Sequence, residues 1–78
     1  MHSEQVSALN KILSIVDQKA SEYKQEYTRL PQSKRFANRK LILDLIDDAT
    51  QLGNAMKPAP RGALEDLKRL AEQLNRLA

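Results

Sequence analysis

Cysteine and tryptophan are absent from this chain of 78 residues, and histidine and phenylalanine occur once each, at His2 and Phe36. Without cysteine there is no disulfide and no thiolate metal site to staple a small domain, so stability must come from helices packed along their whole length. This composition permits an intracellular setting and lends no support to secretion into an oxidising one. With no thiol and one terminal histidine, nucleophilic catalysis has little to work with, and an enzyme is not expected. His2 reads as an ordinary chain-end residue ahead of a metal ligand or a tag remnant. Long apolar runs are missing too. The longest is Leu41 to Leu43, far short of a membrane span, and Met1-His2-Ser3-Glu4 lacks the regions of a signal peptide. A soluble chain is expected, with no transmembrane segment. Hydrophobic residues at 41% and charged ones at 29% are ordinary for one small domain, and a net charge of +3 permits an acidic partner without demanding one.

What the chain does have is helical periodicity. Val6, Leu9, Leu13, Val16, Ala20, Tyr23, Tyr27 and Leu30 alternate three and four apart, which keeps one coiled-coil-like seam in line along a continuous helix. Ser3 is its expected N-cap and Pro31 its stop, which predicts helix 1 over about 3–30. Helix 2 is predicted over about 33–53, with Ser33 as N-cap and Gly53-Asn54 as a left-handed C-terminal stop. Its wide apolar face holds Leu41, Ile42, Leu45, Ile46, Ala49 and Leu52, with Leu45 expected at the centre and Phe36 inside. Lys57 to Gly62, with two prolines, reads as a stiff hinge. Helix 3 is predicted over about 60–78, with Ala63, Leu67, Leu70, Leu74 and Leu77 on its seam and Glu65/Arg69 and Glu72/Arg76 paired on its wet side. The fold class is all-α, an antiparallel three-helix bundle with a long first helix.

The predicted lengths imply an overhang. Helix 1 spans roughly 40 Å, against roughly 27 to 30 Å for the other two. Since Pro31 ties its C-terminal end to helix 2, the surplus falls near its start, where Val6, Leu9 and Ile12 form an apolar lip. Such a lip on a small domain marks an interface with a protein partner or a second copy.

The charged residues raise two further candidates. Asp44, Asp47 and Asp48 have the spacing to hold a hydrated Mg²⁺, but they lie opposite the core beside Lys40 and read better as a solvated face. No cofactor is expected. Arg29, Lys34, Arg35, Arg39 and Lys40 put five cations in twelve positions with no acid among them. Those at the start of helix 2 oppose its macrodipole, so helix stability alone does not explain them. Lys34, Arg35, Arg39 and Lys40 therefore form a candidate anion site for phosphate, a phosphoinositide or other acidic membrane surface, a nucleic-acid backbone or an acidic protein. The plainer reading is salt bridging to Glu22 and Glu26 with ordinary solubility. The patterns argue against base-reading of nucleic acid and leave only backbone contact through the basic cluster, because a proline-rich joint and a helix opening on Glu65-Asp66 do not make a helix-turn-helix, and Phe36 is expected inside rather than on a stacking platform. Tyr23 and Tyr27, one turn apart, are expected to close the narrow end of the bundle with their hydroxyls in water.

The stretch Tyr23–Ile46, YKQEYTRLPQSKRFANRKLILDLI, resembles helical segments of type IV secreted effectors of intracellular bacterial pathogens, the likeness resting on SKRFANRK and the helical pattern around it. It covers about a third of the chain and carries over no catalytic residue. The resemblance implies action in the host cytosol. The Leu-rich end, where such effectors show an acidic tail, implies a piece of a larger protein. The residues themselves point to a non-enzymatic interaction module binding through the lip of helix 1, with the basic cluster as the alternative surface.

Overall fold

The seam of helix 1 needs a partner stripe, and the wide apolar face of helix 2 is able to serve two neighbours at once. The computed structural model, which describes the backbone of residues 2–77 and the side chains of residues 4–77, shows that arrangement. Its order is α1 (His2–Glu26), a single 3₁₀ turn (Tyr27–Arg29), α2 (Gln32–Ala55) and α3 (Arg61–Arg76). The described residues form an all-α three-helix bundle, elongated at 43 × 18 × 16 Å. α2 packs between the other two. α1 and α3 run side by side in the same direction, since Leu13 lies near Leu67 and Lys24 Nζ donates to Gln73 Oε1 at 2.8 Å.

Proline sets both helix starts in place of side-chain caps. Pro31 forces Leu30 into extended backbone (ψ 141°), which breaks the first helix, tightens its last turn to 3₁₀ and leaves Leu30 N–H donating to Tyr27 O. The Pro31 carbonyl then accepts from Arg35 N–H at 2.9 Å, and the Pro60 carbonyl from Leu64 N–H at 3.0 Å. Ser33 is thus inside the first turn of α2 and not its cap. α1 begins at His2, so Ser3 is likewise within the helix, and its side chain lies outside the described residues.

Gly53 corrects the expected stop of helix 2. It has no positive φ and is buried, and α2 continues past it to Ala55. A Cβ at Gly53 would meet Leu64 Cδ2 at 2.8 Å. The glycine is therefore a notch that lets α3 come close, and its cost in helix propensity, up to about 1 kcal/mol, is offset by that contact.

The core is drawn from Leu9, Val16, Ala20 and Tyr23 of α1, Ile42, Ile46 and Ala49 of α2 with Met56 after it, and Leu67 and Leu74 of α3. These follow helical spacing on each element, as burial of one stripe requires. On α2 the buried stripe is Ile42, Ile46, Ala49 and Gly53. Leu45 is half-buried at its flank rather than at the bundle centre, and Leu41 is 50% exposed.

A first helix that ends at Glu26 and three more residues on α2 remove the predicted overhang. With 25 and 24 residues, α1 and α2 are matched at about 37 and 36 Å, and the short helix is α3, with 16 residues or about 24 Å. Leu9 is accordingly core, at 4% exposure, and not part of an exposed lip. Ile12 is half-buried against that core, while Val6 stays 43% exposed.

Candidate functional site

Because Gly53 sits against Leu64 and the helices run antiparallel, α3 ends before it can reach the first turns of α2. Phe36 lies further from Gly53 along α2 than the end of α3 lies from Leu64. It is consequently 60% exposed, not inside as its hydrophobicity predicts.

The ring stands on the same stretch of α2 as the cations of the predicted anion site, and Arg39 is the one beside it. Arg39 places its guanidinium carbon 5.9 Å from the Phe36 centroid, close enough for a weak cation–π contact. Arg35 is half-buried, and its Nε is buried with no hydrogen-bond partner. That nitrogen is closed to an incoming ligand, but the guanidinium has no carboxylate paired to it among the described residues. Arg29 and Lys34 are exposed. Lys40 differs, since its Nζ donates to Asp44 Oδ2 at 3.0 Å, a surface pair contributing little to stability.

Among the described residues the other ion pair is Arg69–Asp66 at 4.0 Å, so Arg69 turns to Asp66 and not to Glu65. The expected bridges from the basic cluster to Glu22 and Glu26 do not form. Those glutamates instead line a shallow cleft of about 100 Å³ with Lys19, Tyr23 and Leu41 on the α1–α2 face. Nor do side-chain caps or acids occupy the first turn of α2. Its free N–H groups and positive dipole end add to the same field as Lys34, Arg35 and Arg39, and an anion placed there would relieve their mutual repulsion.

The remaining candidates separate. Asp44, Asp47 and Asp48 are all exposed, and no group of three metal-ligating side chains occurs among the described residues. Val6, Leu9 and Ile12 fall into three environments rather than one surface. Tyr23 and Tyr27 stack at 5.8 Å, with rings inclined by 26°. Yet Tyr23 is 3% exposed, and its hydroxyl is buried without a partner instead of reaching water. Tyr23→Phe is therefore expected to raise stability by up to about 1 kcal/mol, because it removes the desolvation penalty of an unpaired hydroxyl and keeps the ring. A urea melt reads it. A loss above about 1 kcal/mol would mean that the hydroxyl is bonded.

What sequence reasoning missed is the groove at the far end of α1 and α3, lined by Lys24, Tyr27, Gln73, Arg76 and Leu77, with a volume of about 520 Å³. It is built from residues of two helices about fifty positions apart, so no local pattern in the sequence marks it. No helix among the described residues is long and apolar enough to cross a membrane. No family model, no curated protein and no solved structure matches this chain.

Proposed function

We propose that this chain is a non-enzymatic helical interaction module that binds an acidic partner through Lys34, Arg35, Arg39 and the exposed Phe36. The observation that carries this is the exposure of Phe36 among cations that, Lys40 apart, have no carboxylate partner among the described residues. Charge supplies attraction at a distance and a desolvated aromatic supplies the anchor, the combination that protein interfaces favour. The effector-like stretch Tyr23–Ile46 spans this end of the bundle, so an acidic host protein fits the same reading. The alternative surface on the first half of α1 is supported by the exposure of Val6 and Ile15, while Leu9 is taken up by the core.

Retention on immobilised poly-glutamate tests the proposal. Retention should fall steeply between low and moderate salt, and Lys34→Glu/Arg39→Glu should abolish it. Lys11→Glu/Lys68→Glu, which changes net charge equally at other exposed sites, should leave most of it. Equal losses from the two double variants would show that only net charge matters and would remove the site.

A further inference from the structure

We infer that the groove between the C-terminal ends of α1 and α3 receives an acidic amphipathic helix of a partner protein, an inference that rests on the acidic-partner reading and names the partner's form. The groove has an apolar floor, Tyr27 and Leu77, both half-buried, and a basic rim, Lys24 and Arg76, both exposed. No carboxylate of the described residues lines it. Lys24 Nζ donates to the neutral amide oxygen of Gln73 at 2.8 Å, which orients the ammonium without cancelling its charge.

Shape selects among acidic partners. Two helices lying side by side leave between them a channel that a third rod fills by ridges-into-grooves packing. The lining spans about one helical turn on each side, so an amphipathic helix sets one pair of apolar residues, i and i+3 or i+4, on the floor, with acids on its flanks for Lys24 and Arg76. A bilayer is flat and leaves the floor unfilled. A nucleic acid would satisfy the rim, but Tyr27 already has Tyr23 stacked on it at 5.8 Å, which takes up a face that a base would use. The groove opens at the same end of the bundle as Arg29 and the start of α2, so the basic cluster draws in the same ligand from the side.

The test is a fluorescence-anisotropy titration of the whole chain with a synthetic Leu-striped helix flanked by glutamates. Its lysine-flanked twin, phosphatidylserine vesicles and an oligo-dT strand are titrated in parallel. The glutamate peptide alone should bind saturably. Lys24→Glu/Arg76→Glu should weaken it about tenfold or more, and Leu77→Ser should also weaken it, with melts showing that the variants stay folded. Equal binding of both peptides, or binding of vesicles or oligo-dT without the peptide, overturns the inference. If the peptide is insensitive to the groove variants but lost with Lys34→Glu/Arg39→Glu, the groove falls and the acidic-partner reading stands. If neither the peptide nor poly-glutamate is held, both fall.

Discussion

Leu74→Ala is expected to cost about 2 to 5 kcal/mol, the range for deleting a fully buried leucine whose site only partly collapses. Leu74 is 0% exposed and is, with Val16, among the largest fully buried side chains of the bundle. A domain of this size has roughly 4 to 12 kcal/mol in all, with no disulfide to constrain its unfolded state, so the variant should lose a large share of its stability. Urea unfolding followed by far-UV circular dichroism measures it, the slope staying constant if the transition remains two-state. Leu45→Ala belongs in the same series. It removes the same atoms from a half-buried site, so it should cost less than half as much. Equal losses at the two positions would mean that α2 is rotated about its axis from the orientation that buries Ile42 and Ile46.

That rotation is the point at which sequence and structure part. Apolar residues at Leu41, Ile42, Leu45, Ile46, Ala49 and Leu52 cover so broad an arc that periodicity says a helix exists without saying which line faces inward. On α1 the alternation is strict, and Leu9, Val16, Ala20 and Tyr23 are legible from it as core. Leu67 and Leu74, one heptad apart, are legible on α3 for the same reason. Pro31 and Pro60 mark both helix starts because their effect is local. Gly53 was not legible. Glycine followed by asparagine is a local stop signal, and only the presence of Leu64 across the interface turns it into a notch inside a helix. Reading it as a stop takes two residues, about 3 Å, from the end of α2 that faces the start of α1, and the rest of the expected overhang comes from running α1 through the 3₁₀ turn to Leu30. Phe36 failed by the same route, since its exposure depends on where a different helix ends. The cations of the candidate site could be read as a cluster, but their setting could not. That Arg39 lies over an exposed ring, and that Lys24 and Arg76 flank one groove, are facts of register between elements distant in sequence.

Leu9→Ser/Ile12→Ser separates the two accounts of the start of α1. If these residues formed a free lip, the double variant would keep its helicity and lose only self-association or partner capture. Leu9 is instead 4% exposed within the core cluster, and Ile12 packs on that cluster from the side. The pair should therefore destabilise by at least the about 2 to 5 kcal/mol of one buried leucine truncation, with the serine at position 9 adding a hydroxyl that must find a partner or stay unpaired. Melting and light scattering on one sample decide the matter. The expected result is a large fall in midpoint, whatever the oligomeric state. Val6→Ser, at a 43% exposed position on the same helix, should stay within about 0.5 kcal/mol of the parent. Full helicity in the double variant with a lost oligomer would return the interface to the start of α1. Unfolding in the double and not in Val6→Ser leaves that end to the core and the basic end to the partner.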